Sequence, residues 1–295
     1  MAIEVQKLRG ARRRLVDHRD VLWFTIWIAG LGFMWIWDLI FLNAPALARV
    51  ESAFVNSLFT GLTVVVLSLA FGWGAGVGLH LLDRLESRWG FAAVSFAADL
   101  IRSVPQILIV LFGYIVLTAL THAELLRTVI AQLLFIATVI SFAVFLEIAD
   151  TVRSRIEYFR TLDFVDAMLC CGISERRILN VEILWKNSRS HLLHKLIAVF
   201  GASIFLQCSI DFIVSVGLST DVSLSNFPLT LGSLLATMDS KQDILALSNL
   251  VSDPGYLPVI LVRHLQGLSV AFCIVFTLLC MYNIGNGFVR RHRLA

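Results

Sequence analysis

Long apolar runs alternate along this chain with connections that carry all of its Asp, Glu, Lys and Arg. The runs cover residues 21–37, 58–82, 103–123, 128–146, 196–210 and 265–289, and none contains Asp, Glu, Lys or Arg. A helix needs about 20 apolar residues to cross about 30 Å of hydrocarbon. Most of the runs reach or approach that length, and the first and fifth do so when read through Asp38 and Asp211. The pattern therefore predicts six transmembrane helices. A membrane barrel would instead show short segments of strict alternation, whereas these runs are apolar on every face. The expected fold class is an all-α polytopic membrane protein.

Charge adds an orientation. Lys7, Arg9, Arg12, Arg13, Arg14 and Arg19 precede the first run, and Arg84 and Arg88 follow the second. The fourth connection holds Arg153, Arg155, Arg160, Arg176, Arg177, Lys186, Arg189 and Lys195, and the tail holds Arg290, Arg291 and Arg293. The intervening connections hold only Arg49, Arg127, Lys241 and Arg263. Because cytoplasmic connections retain Lys and Arg, both termini are expected in the cytoplasm, as an even number of spans requires. The first run exceeds the roughly 7–15 residues of a signal-peptide core, so an uncleaved anchor is expected.

Composition agrees with a bilayer environment: 58% hydrophobic residues, 15% charged and a mean hydropathy of +0.83 exclude an ordinary soluble domain. The net charge of +3 is then chiefly a topology signal, with an added attraction of "RGARRRLVDHR" to anionic lipid. No aromatic-interleaved basic surface accompanies those arginines, which argues against a nucleic-acid partner. The organisation expected is a basic segment over 1–20, a first transmembrane helix with its outer loop over 21–50, and a membrane core over 51–295. That core includes a cytoplasmic loop at 150–190 and an outer loop at 219–262.

Candidate chemistry is sparse. Five cysteines include no CxxC pair, so neither a zinc site nor a disulfide framework is indicated. "FGWGAGVG" lacks the dinucleotide spacing; its Gly72/Gly76 and Gly74/Gly78 pairs predict close helix packing. His191 and His194 lie one turn apart without a third ligand nearby in sequence, and read as a hydrated membrane-edge cluster. Ser203 has no GxSxG context and is expected to bond its own helix. No GxxxxGK[ST] occurs, so ATP work would fall to another chain; no catalytic residue, metal or cofactor of this chain's own is expected. Asp38, Arg102, Glu147 and Asp211 border or enter spans, where ionisable groups need a reason. For Arg102 the expected reason is pairing with Asp99 one turn away or snorkelling, for Glu147 solvation beside Asp150, for Asp38 a place near the outer surface, and for Asp211 either a cavity or a pair with another subunit.

The segment 163–185, "DFVDAMLCCGISERRILNVEILW", is unlike the rest. Leu162, Val165, Leu169 and Gly172 share one helical stripe, with Asp163 and Asp166 off it. Gly172 suits a left-handed stop, Ser174 can start a new helix with Glu175 in its first turn, and Ile178, Val181 and Trp185 form the next stripe. A short amphipathic helix, a break and a second helix suit either a groove in a soluble partner or the lipid headgroups.

This segment resembles the EAA loop of binding-protein-dependent ABC importer permeases, whose pattern is Glu-Ala-Ala, three residues, Gly, nine residues, Ile-x-Leu-Pro. Asp166, Ala167 and Met168 take the first positions, Gly172 follows at the family interval, and Ile183 and Leu184 close the motif, with Trp185 where proline is usual. The dipeptide, oligopeptide and nickel branch is the most similar: "DLIRSVPQILIVL", "LTLGSLLAT" and "YNIGNGFVRR" resemble its further motifs in order, although its N-terminal signature is missing around residues 43–56.

The resemblance implies a type I importer permease in the bacterial cytoplasmic membrane. Its expected partners are a second, non-identical permease subunit, ABC ATPase subunits that bind ATP and Mg, an extracytoplasmic solute-binding protein, and membrane lipid. It implies that Leu162, Val165, Asp166, Ala167, Met168, Leu169 and Gly172, with Ile183 and Leu184, couple to the ATPase. Pro105, Gln106, Gln207 and Asp211 are the candidates for the translocation path, and the solute is expected to be peptide-like or otherwise small. The alternative is a six-span secondary transporter acting as a dimer, which would need an ion site at Asp211.

Overall fold

The computed structural model describes residues 19–84, 88–215, 227–237, 251–258 and 265–293. The basic segment over residues 1–18 and most of the outer loop at 219–262 lie outside the described residues. Among the described residues there are helices and no strands. They are α1 (Arg19–Phe41), α2 (Ala44–Arg84), α3 (Arg88–Ser103), α4 (Gln106–His122), α5 (Val129–Arg160) and α6 (Asp163–Cys170). A single turn, Glu175–Arg177, runs into a π-helical segment, Ile178–Asn187, followed by α7 (Arg189–Ser215), α8 (Leu231–Thr237) and α9 (Leu265–Arg293).

Helices α1, α2, α5, α7 and α9 are long and apolar enough to cross a membrane, and residues 92–103 of α3 with α4 make a sixth span if their 90° bend is counted within it. The protein is thus an all-α polytopic membrane protein with five or six spans. The bend falls at the start of the apolar run 103–123, so α4 carries most of that run and begins only at Gln106. Proline has no N–H to donate, and the residue before it is pushed out of helical geometry, so Pro105 (φ −55°, ψ 130°) starts α4 rather than continuing α3.

The connection after the first helix is tight. Only Leu42 and Asn43 separate α1 from α2. The Asn43 side chain accepts from the Ala46 N–H at 3.1 Å, and Pro45 sits in the first turn where its missing N–H costs nothing. With 41 residues, α2 extends about 60 Å, twice the hydrocarbon thickness. Helix α5 similarly outruns the bilayer, and its last turns carry Arg153, Arg155, Glu157 and Arg160.

The most extensive helix pairing is between α2 and α5. A Cβ on Gly72 would lie 2.6 Å from Ile148, and one on Gly76 would lie 2.7 Å from Val152 and 2.9 Å from the Ala149 carbonyl oxygen. Only this pair of the two small-residue pairs is used, since Gly74 and Gly78 face open space. The main core joins α2, α4, α5 and α7 to the loop that follows α5. Helix α1 packs on α9: Trp27 donates through Nε1 to Thr277 Oγ1 at 3.1 Å, and Gly287 lies so close to the Asp20 backbone that a Cβ would come within 2.6 Å of its nitrogen.

Candidate functional site

Helix α6 hangs from the end of α5 and closes in a Schellman motif. The Gly172 N–H donates to the Leu169 carbonyl at 2.9 Å and the Ile173 N–H to the Met168 carbonyl at 3.2 Å. Gly172 takes φ +77°, a conformation in which a side chain would be strained, and a Cβ there would meet nothing within 4 Å. The requirement for glycine is conformational, and the surface around it is open.

Burial divides α6 differently from the expected stripe. Val165 is buried, and Phe164 and Met168 pack partly against the main core. Leu162 and Leu169 are exposed instead, beside Asp163, Asp166, Ala167, Cys170 and Gly172. Leucine and acid therefore share the outward face, because the short helix is anchored by Phe164, Val165 and Met168 rather than by the 162/165/169 stripe.

The second half of the loop is set from inside. Ile178, Leu179, Ile183 and Leu184 are buried, whereas Val181 and Trp185 are exposed. This corrects the expected 178/181/185 stripe: the segment is π-helical, and π geometry brings residues five apart onto one face. Ile183 and Leu184 thus face the chain's own core, where they support the loop but offer no side chain to a partner. Trp73 on α2 donates through Nε1 to Asn180 Oδ1 at 2.7 Å, and Arg155 on α5 donates through Nε to Ser188 Oγ at 3.2 Å. The Arg155 guanidinium also lies over the Tyr158 and Phe159 rings at 5.0 and 4.9 Å. Nothing in the local sequence marks Trp73 or Arg155 as braces for a loop far along the chain.

A polar bridge sits at the start of α4. Gln106 donates to Glu147 Oε1 at 3.0 Å, and Lys195 approaches Glu147 Oε2 at 2.7 Å, so one carboxylate ties α4, α5 and α7. Beside it, Arg102 pairs with Asp99 at 2.7 Å, as expected, and with Asp150 at 2.5 Å. Glu147 is therefore engaged rather than merely solvated, and Gln106 reaches a carboxylate of its own chain. About a third of each side chain of the Glu147–Lys195 pair remains exposed, which dilutes the pair. Glu147→Ala should lower unfolding free energy in detergent by about 1 kcal/mol, and Glu147→Gln, which keeps the acceptor for Gln106, by less. Equal loss in both variants, measured by chemical denaturation, would assign the effect to charge alone.

Asp211 is buried inside the bundle. It accepts from Tyr114 Oη at 2.9 Å on one oxygen and from Thr230 Oγ1 at 2.6 Å on the other. Those bonds tie α7 to α4 and to the approach to α8. The Leu231 N–H donates to Ser57 Oγ at 2.9 Å, and Asn56 donates to the Leu229 carbonyl at 2.8 Å. The short piece "LGSLLAT" is enclosed by α2, α7 and α9, with Leu231 and Leu234 buried. Gln207, one turn before Asp211, is also buried, and its Nε2 meets no acceptor among the described residues. Of the four residues expected on a translocation path, Gln207 and Asp211 face the interior of this chain, Pro105 forms the elbow, and Gln106 joins the polar bridge.

Other candidates resolve simply. Ser203 donates to the Phe200 carbonyl at 2.7 Å, its own helix, as expected. His194 Nδ1 lies 3.1 Å from the Gly285 carbonyl oxygen. No group of three metal-ligating side chains occurs among the described residues. No protein-family model matches the chain, and no curated protein matches it either.

Proposed function

We propose that this chain is a permease subunit of an ATP-driven importer of the bacterial cytoplasmic membrane, forming half of a translocation pathway with a second, non-identical permease subunit. A solute-binding protein outside delivers a peptide-like or other small solute, and separate ATPase subunits hold ATP and Mg and carry out hydrolysis. The observation that carries the reading is α6 with its glycine stop: a short helix at the end of a projecting span, braced from within and presenting Leu162, Asp166, Ala167, Leu169 and Gly172 outward. A brace of that kind suits a lever. Force applied to the exposed face would pass through Val165, Ile178 and Ile183 into the core shared by α2, α5 and α7.

The secondary-transporter alternative draws no support from Asp211, whose two oxygens are both engaged inside the bundle. The test is co-purification from mild detergent. Gly172→Val places a β-branched residue at φ +77° on an open surface, so the span bundle should still insert while the outward face of α6 is displaced. Wild type should carry an ATPase subunit and the variant should lose most of it. An ATPase retained with coupled turnover in the variant, or absent from wild type, would refute the assignment.

A further inference from the structure

Two cavities, each of about 480 Å³, flank α9 at the end of the bundle where α1 begins and α9 finishes. The first is a polar pocket between α1 and α9, lined by Arg19, Trp23, Tyr282, Asn283 and Asn286. The second is an apolar groove between α7 and α9, walled by Ala198, Ala202, Phe205, Leu278 and Met281. Gly201 also lines it, and a Cβ there would meet only Leu278, at 3.9 Å. Tyr282 and Asn286, one helical turn apart on α9, line both cavities, so pocket and groove meet at these two side chains.

Polarity changes along this surface in a fixed direction. The groove runs beside α7 from His194 to Phe205, about 16 Å at 1.5 Å per residue, which is close to the hydrocarbon depth of one leaflet. At its polar end stand Trp23 and Tyr282, residue types that gather where a membrane meets water. Arg19 is exposed at that end and offers a planar fork of N–H donors that matches a phosphate. The neighbouring acid, Asp20, is buried and does not line the pocket. Asn283 donates through Nδ2 to the Leu279 carbonyl at 2.8 Å, which holds its amide in place with Oδ1 as the acceptor.

We propose that this surface binds an anionic glycerophospholipid from the leaflet at that end, with the phosphate on Arg19 and an acyl chain in the groove. A free phosphate would match Arg19 but leave the groove empty. A choline or ethanolamine headgroup would bring its own cation against the guanidinium, whereas a glycerol headgroup brings hydroxyls for Asn283 and Asn286. The site differs from the diffuse attraction of the basic segment to anionic lipid because it depends on one arginine and one groove. It rests on the chain spanning a membrane and not on the transporter reading.

The experiment adds dioleoyl phosphatidylglycerol, phosphatidylethanolamine or phosphatidylcholine to the purified chain in detergent and measures retained lipid by native mass spectrometry. Wild type should retain phosphatidylglycerol about tenfold better than the other two, the factor expected for one charge-assisted bond. Arg19→Gln should abolish that preference, while Arg13→Gln, in the basic segment, should leave it intact. Gly201→Leu fills the groove where a Cβ has room, so it should lower retention of all three lipids. Gly74→Leu, in open space outside the groove, should retain them as wild type does. Equal retention of the three lipids by wild type, equal effects of Arg19→Gln and Arg13→Gln, or full displacement of the lipid by inorganic phosphate at matched concentration would each overturn the proposal. So would a dimer that Gly201→Leu dissociates with no change in bound lipid, since the groove would then belong to a second protein chain.

Discussion

Replacing Gly76 by leucine is expected to remove most of the correctly folded protein, while leucine at Gly74, two residues away, should be tolerated. The two positions lie about 200° apart around one helix, so they face opposite directions. At Gly76 even a Cβ would press to 2.7 Å from Val152 and 2.9 Å from the Ala149 carbonyl oxygen, and a backbone oxygen cannot swing aside as a side-chain tip can. Forcing bulk into a packed core costs about 1 to 3 kcal/mol, and more where backbone must move. That is a large share of the 5 to 15 kcal/mol that keeps a typical domain folded. At Gly74 there is nothing within 4 Å, and leucine is the better helix former. Monodispersity on size exclusion and thermal midpoint in detergent would separate the two variants. Similar midpoints would mean that α2 and α5 do not approach as closely as described.

Asp211→Ala should release α8 without unfolding the bundle. Hydrogen bonds between membrane helices are worth on average about 0.6 kcal/mol each, so losing the bonds from Tyr114 and Thr230 costs little more than 1 kcal/mol globally. Helix α8 has only seven residues, however, and is tied down by a few hydrogen bonds of this kind, so the same loss bears on its attachment far more than on the bundle. Gly232→Ala reaches the same result sterically, because a Cβ there would lie 2.6 Å from both Asp211 Oδ2 and the Cys208 Cα. Amide exchange over residues 230–237 should rise about tenfold in either variant, the factor that 1.4 kcal/mol supplies, with the exchange of α5 unchanged. A parallel rise in α5 would show that Asp211 supports the whole bundle.

How far such sites are legible depends on how local their physics is. Gly172 could be read in sequence because a left-handed helix stop is decided by the residue itself and its immediate neighbours. The Arg102–Asp99 pair and the Ser203 back-bond were legible for the same reason, since each lies within one helical turn. The buried face of 178–187 was not, because a stripe drawn at 3.6 residues per turn assumes an α-helix, and π winding moves the shared face to residues five apart. Asp211 stood out as an oddity, but its partners Tyr114 and Thr230 come from other elements, so the role of the carboxylate had no local signature. Glu147 was misjudged for a related reason: Lys195 and Gln106 are each more than forty residues away in the chain.

The sequence by itself determined that the chain is helical and lives in a membrane, because run length and the absence of charge are properties of single segments weighed against the thickness of hydrocarbon. It also determined where α6 stops. Only the tertiary structure decided which glycine pair is a contact, that α3 and α4 meet at a 90° bend beside Pro105, and that Ile183 and Leu184 turn inward. Those features depend on which surfaces meet across long separations in the chain, and packing between helices, unlike crossing a bilayer, is not decided one segment at a time.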